Sequence, residues 1–212
     1  AMFFWPALLA MQQQGIALSV LCLSRGNADG LGDIREAEMH RSCARLGLKA
    51  EDVSILEVQD LQDGFHAWPE DVVASHVCDF VKAHGAGLIL TFDDRGVSGH
   101  PNHISTSRGV RKAQETLLVR VLMLESVGFL RKYLGPLNWW LAPGLQASDA
   151  AAGDIYTCRN PLVCLQALTV HWSQLVWYRV LFSVFSSYAY VNTLTEHKHP
   201  PLTVDSEDKK SR

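Results

Sequence analysis

Apolar and polar positions change phase many times along this chain, and each change marks a predicted element. Phe3 to Gln14 carries an apolar helical face and stops at Gly15. Ile16 to Leu23 is a continuous β-prone run, the mark of a strand covered on both faces. A loop with three glycines, Ser24 to Gly32, leads to Asp33 as N-cap of a helix from Ile34 to Leu46, and Gly47 ends it. Val53 to Val58 reads as the next strand, Asp60 to Pro69 as a loop, and Glu70 to His84 as a helix. Gly87 to Phe92 is a further buried strand, Ile104 to Ala113 a helix and Thr116 to Leu124 a strand. This βαβα order with short loops predicts an α/β fold: a Rossmann-like, doubly wound and mostly parallel sheet with flanking helices. In such sheets ligands bind beyond the carboxyl ends of the strands, where the Ser24–Gly32 and Asp93–Gly99 loops both fall.

The later pattern is less regular. Phe129 to Leu145 is broken by Gly135-Pro136 and Pro143-Gly144 and holds the pair Trp139-Trp140. Asp154 to Cys158 predicts a short strand, and Pro161 to Leu194 a long aromatic-rich helical stretch. One domain over residues 1–194 and a flexible polar tail over 195–212 are therefore expected. The 212 residues suffice for one α/β core. A net charge of −3 without a basic stripe sets nucleic acid aside as a partner. The five cysteines show no CxxC and fit buried free thiols in a reducing compartment. Asn160 to Tyr178 lacks acidic and basic residues, but Gln166, His171 and Gln174 argue against a membrane span.

The chemistry concentrates where the Gly87–Phe92 strand ends. Asp93-Asp94-Arg95-Gly96-Val97-Ser98-Gly99 leads into His100-Pro101-Asn102-His103, two histidines three residues apart on a first helical turn. Imidazole is the commonest zinc ligand, and this spacing can aim both rings at one point. The ordinary reading of the same residues is helix capping, with Pro101 at the first helical position. Arg35 and Glu38 are an i, i+3 pair on one helix. Arg35 stands in the first turn against the macrodipole, where its fork can hold a hydroxyl or phosphate. Asp93 serves as a turn former, as an orienter of a histidine or as a substrate contact. His171 and Gln174 sit among apolar residues, either as a polar stripe or as donors to the site. The aromatics from Trp172 to Tyr190 read most simply as core, with an interfacial patch as the other possibility.

Taken in order, Ser24-Arg25-Gly26-Asn27, Arg35-x-x-Glu38, Thr91-Phe92-Asp93, Gly96-Val97-Ser98-Gly99-His100-Pro101-Asn102-His103, Leu130-Arg131-Lys132-Tyr133 and His171-x-Ser173-Gln174-x-x-Trp177-Tyr178-Arg179 resemble the LmbE-like family of zinc de-N-acetylases. The resemblance implies an amide hydrolase that uses Zn(2+). His103 would be a metal ligand and His100 the residue serving the transition state. Arg35, Asp93 and Asn27 would contact substrate, with Glu38, His171 and Gln174 behind them. It further implies a glycolipid substrate, N-acetylglucosaminyl-phosphatidylinositol, a membrane surface as partner, and work at the cytosolic face of the endoplasmic reticulum. A soluble N-acetyl sugar conjugate is the alternative substrate, and a non-catalytic binding partner the alternative role. The family's His-Pro-Asp-Asp-Glu segment, which supplies further ligands and the base, does not occur in residues 1–212. The expectation is therefore that the first strand is missing, that the anchor lies before Ala1, and that these residues alone hold zinc poorly and are inactive.

Overall fold

The computed structural model describes residues 3–135, 137, 154–158, 166–167 and 169–198. Helices form where apolar side chains recur at helical spacing between stop signals. Helix α1 spans Trp5–Gln13, opens with Pro6 in its first turn, and buries Trp5, Ala7 and Met11. Helix α2 covers Gly32–Arg45 and α3 covers Glu70–His84. In α3, Val73, Ala74, Val77 and Val81 form the buried stripe. Its first turn carries Glu70 and Asp71, its last turn Lys82 and His84, each favoured by the helix dipole there. Gly85, at φ 61°, ends it in the left-handed conformation. A short helix α4, Gly96–Gly99, precedes α5, Pro101–Gln114.

Strands β1 (Val20–Cys22) and β2 (Val53–Ile55) pair in parallel as one small sheet. A second sheet has the order β3-β4-β6-β5, where β3 is Leu88–Phe92, β4 Arg120–Leu124, β5 Asp154–Thr157 and β6 Val191–His197. β3 and β4 are parallel, with Phe92 opposite Leu124; β6 runs antiparallel to both β4 and β5. The parallel α/β reading thus describes β1 to β4, and β6 adds antiparallel pairs to the larger sheet.

The segment expected as one long helix is different. Trp172–Gln174 is a single 3-10 turn, a helix α7 runs only from Trp177 to Phe185, and β6 follows after a second 3-10 turn at Ser187–Ala189. Val191, Thr193 and Thr195 are β-branched, and antiparallel partners on both sides satisfy the backbone of the strand. β6 also carries the chain past residue 194, where a flexible tail was expected to begin, as far as His197. Trp139-Trp140, Pro143-Gly144, Pro161, Cys164 and residues 199–212 lie outside the described residues.

A short helix α6, Phe129–Lys132, follows β4. One apolar core joins α3 and α5 to β4, with Val73, Val77, Val110 and Val121 at its centre. Gly109 of α5 lets the two helices touch: a Cβ there would stand 2.3 Å from Val73 Cγ1. A second core, with Trp5, Leu46 and Val53, joins α1 and α2 to β2. A third, with Ala7, Val97, Leu124, Tyr188 and Leu194, links α1 to the larger sheet. Cys22, Cys43, Cys78 and Cys158 are free thiols, with Cys43 and Cys158 buried. Among the described residues no helix is long and apolar enough to cross a membrane.

Candidate active site

The loop leaving β3 is organised by Asp93. Its Oδ1 accepts from the Arg95 and Gly96 backbone N–H groups, both at 3.0 Å, and from the Ser126 hydroxyl at 2.6 Å. Its Oδ2 accepts from the Ser126 N–H at 2.7 Å. Four donors occupy the usual capacity of a carboxylate. Asp93, expected at substrate, spends these bonds joining the loop after β3 to the loop after β4. Ser126 Oγ in turn accepts from the Val97 N–H at 2.8 Å. That bond holds Val97 at φ 66°, an outlier for a β-branched residue.

This turn sets His103. Gly96 has φ 57°, and a Cβ on it would lie 2.9 Å from His103 Cβ and 3.1 Å from the Ile104 nitrogen. The close approach brings Gly96 O to 3.0 Å from His103 Nδ1. A carbonyl only accepts, so Nδ1 bears the proton and Nε2 presents its lone pair. Phe92 stacks on the ring at 4.2 Å between centroids, and Phe3 meets it edge-on at 5.8 Å. Burial pushes the His103 pKa down, chiefly through desolvation, which favours the neutral form that a ligand needs. His100 caps α5 and accepts the Asn102 N–H on Nδ1 at 3.3 Å, so its proton sits on Nε2. The two rings lie 5.1 Å apart.

Arg35 reaches the same rim from α2. Its guanidinium donates to the Gly26 carbonyl and pairs with Asp29 at 2.5 Å. It also stands 3.8 Å from Asp63, whose other oxygen is 3.5 Å from Asn102 Nδ2. Asp63 therefore bridges the α2 arginine and the histidine turn. Nothing in its sequence neighbourhood marks it, because a lone aspartate among turn formers looks like any other loop residue. Arg25 was also missed as an anchor: it pairs with Asp33, with Glu36 at 2.8 Å and with Glu57 at 2.6 Å, fastening the ends of β1 and β2 to α2. Asn27 is exposed, and its Oδ1 accepts the Gly32 N–H at 2.9 Å.

Glu38 lies one turn deeper in α2 and is buried. It accepts the Ser173 N–H at 2.7 Å and the Ser173 hydroxyl at 2.6 Å. His171 stands beside this pair with a buried Nδ1 that has no hydrogen-bond partner, and burial pushes its pKa down to about 4. Gln174 accepts from Arg179 at 2.6 Å. The fold thus assembles two groups. His100, His103, Asp63 and Arg35 gather at the strand rim, and Glu38 with Ser173 and His171 forms a buried clasp between α2 and the Trp172–Gln174 turn.

A catalytic zinc takes three protein ligands. His103 has the arrangement of one, since its second nitrogen is fixed by a carbonyl. Among the described residues no three His, Cys, Asp or Glu side chains converge to complete such a set.

Residues 1–114 match the PIG-L family, GlcNAc-PI de-N-acetylase. The N-acetylglucosaminyl-phosphatidylinositol de-N-acetylase of Bos taurus is 39% identical over 202 residues, covering 92% of this chain and 78% of that protein. The probable N-acetylglucosaminyl-phosphatidylinositol de-N-acetylase of Dictyostelium discoideum is 33% identical over 228 residues, covering 93% and 88%. The structure is similar to that of N,N'-diacetylchitobiose deacetylase from Pyrococcus horikoshii, with a TM-score of 0.63 and 14% identity over 95% of this chain and 82% of that one, a likeness of fold. By its sequence the chain belongs to the PIG-L family of de-N-acetylases.

Proposed function

We propose that this protein removes the acetyl group from N-acetylglucosaminyl-phosphatidylinositol, a step of GPI-anchor biosynthesis, and that it does so with zinc at the cytosolic face of the endoplasmic reticulum membrane. Family membership supports the amide hydrolysis, and the relatives' names support the glycolipid. The observation that carries the reading is the histidine pair: His103 with Nδ1 tied to Gly96 and Nε2 bare, beside a His100 whose proton lies on Nε2.

In this reading His103 would be one ligand of the metal, which supplies Lewis acidity and an activated water when bound. The described residues do not complete its ligand set. The chain's own part is positioning and hydrogen-bond donation. His100 Nε2–H would donate a hydrogen bond to the oxygen that gains charge as the acetamide is attacked. Arg35, steered by Asp29 and Asp63, offers its remaining donor capacity to sugar hydroxyls or the phosphodiester. Asp93 holds the loop on which both histidines depend.

The test is acetate release from N-acetylglucosaminyl-phosphatidylinositol in mixed micelles with Zn(2+) supplied. It is run on protein immunopurified from its own cells and on recombinant residues 1–212. Release by the cellular protein that is abolished by His100→Ala is expected, with little or none from residues 1–212. Equal turnover of free N-acetylglucosamine conjugates would overturn the glycolipid assignment.

A further inference from the structure

Helix α7 wears its apolar stripe on the outside. Trp177, Val180, Leu181, Val184 and Phe185 follow helical spacing, and all are exposed, Trp177 at 75%. A helix of a globular protein ordinarily turns such a stripe inward. Phe182 makes an inward contact, meeting Phe3 edge-on at 5.5 Å.

A second exposed apolar cluster adjoins it. Phe129, Leu130 and Tyr133 stand out from α6 and the turn after it, Leu130 at 83% exposure. The two clusters share one face of the protein. Gly135 lies so close to α7 that a Cβ on it would be 3.2 Å from the Val184 and Phe185 carbonyls. The Ser187 hydroxyl donates to the Arg131 carbonyl.

Among the described residues of α6, α7 and the turns beside them, charge has one sign. Residues 126–135 and 171–190 contain no Asp or Glu, whereas Arg131, Lys132 and Arg179 fall within them. Acidic residues outnumber basic ones over the whole chain, 22 to 19, so the bias is local. Exposed aromatic and aliphatic side chains beside cations, with no acid among them, match an anionic lipid surface. Phe182 also ties the inner side of this face toward the site: it meets Phe3, and Phe3 meets the His103 ring.

We infer that the α6–α7 face seats on an anionic lipid bilayer and so brings the histidine rim to a lipid-held substrate. The choice of lipid as occupant rests on the glycolipid reading given above. A sugar on phosphatidylinositol then reaches the histidines while its acyl chains stay in the bilayer.

Flotation of the full chain with vesicles tests this, using phosphatidylcholine alone and phosphatidylcholine with phosphatidylinositol. Preferential flotation with the phosphatidylinositol vesicles is expected, together with quenching of tryptophan emission by brominated lipid. Leu130→Ser, Leu181→Ser and Phe185→Ser combined should cut binding by about tenfold or more. Lys132→Glu should cost roughly tenfold on the anionic vesicles only. These side chains are substantially solvent-accessible, so an unchanged unfolding midpoint checks that each variant folds. Absent flotation, or flotation equal in all variants, would overturn the inference. So would light scattering that shows a dimer which the triple variant turns into monomers, because the face would then bind a second copy. Vesicle binding by residues 1–212 together with no acetate release from the cellular protein would instead defeat the deacetylase reading and leave this surface standing.

Discussion

Replacing Gly96 by alanine separates backbone strain from crowding at the histidine, because Gly99 supplies an internal control. Both glycines have positive φ, 57° and 72°. The left-handed region costs an L-residue roughly 1–2 kcal/mol, and both substitutions incur that. At Gly99 the new Cβ meets nothing within 4 Å, so the cost stops there. At Gly96 it comes to 2.9 Å from His103 Cβ and 3.1 Å from the Ile104 nitrogen. The second neighbour is helical backbone and cannot swing aside, which adds about 1–3 kcal/mol. For a domain of this size each kcal/mol lowers the midpoint by roughly 2–4 °C. Gly99→Ala should therefore lose about 2–8 °C in thermal unfolding followed by circular dichroism, and Gly96→Ala roughly twice that. Proton NMR adds a second readout, since the His103 Nδ1–H bonded to Gly96 O should shift in Gly96→Ala and stay in Gly99→Ala. Equal losses in the two variants, or an unmoved imidazole signal in Gly96→Ala, would refute the argument that Gly96 sets the ring.

Glu38→Ala removes both acceptors from Ser173 and should cost about 3–5 kcal/mol in urea unfolding, while Glu38→Gln, which keeps the shape and one acceptor, should cost about 1–2; comparable losses would sink the clasp. His171 takes up its proton near 6.5 when unfolded and only near about 4 when folded, so the unfolded chain binds more protons between those values. Its stability contribution is therefore complete above pH 6.5 and is lost as pH falls toward about 4. His171→Gln should flatten that part of the midpoint-against-pH curve, and an unchanged slope would contradict the burial argument. Zinc titration of residues 1–212 against a competing chelator should show weak binding that His103→Ala reduces further; tight stoichiometric binding would mean that a complete ligand set exists.

What could be read in advance follows from where the information lies. Helices α2 and α3 are followed by glycines and α5 opens on a proline, and apolar residues recur at helical spacing in each, so local signals locate them. The ends of β3 and β4 were legible because apolar runs stop at loop residues there. β6 was not, because Val191 to Leu194 continues an uncharged apolar stretch, and only the distant β4 and β5 make it a strand. His100, His103 and Arg35 announced themselves as histidines at ligand spacing and a cation at a helix start. For Asp93 the turn-forming reading was legible, but its tie to Ser126 was not, since that residue lies beyond two helices and a strand. Asp63 had no local signal at all; its contacts with Arg35 and Asn102 exist only once the loops meet.

Asn192 gives the fold a timetable. Its side chain, fully buried in β6, accepts the Ala7 N–H at 3.0 Å and donates to the Phe3 carbonyl at 2.8 Å. β6 also lies between β4 and β5, inside the sheet rather than at its margin. Helix α1 therefore waits on β6, which is made much later in the chain. On the ribosome, the larger sheet stays open, with the β4 edge unpaired, until residues past His197 have cleared the exit tunnel. Such late closure of long-range contacts is slow and leaves sticky intermediates. Docking of β6 between β4 and β5 is then the step that completes the larger sheet.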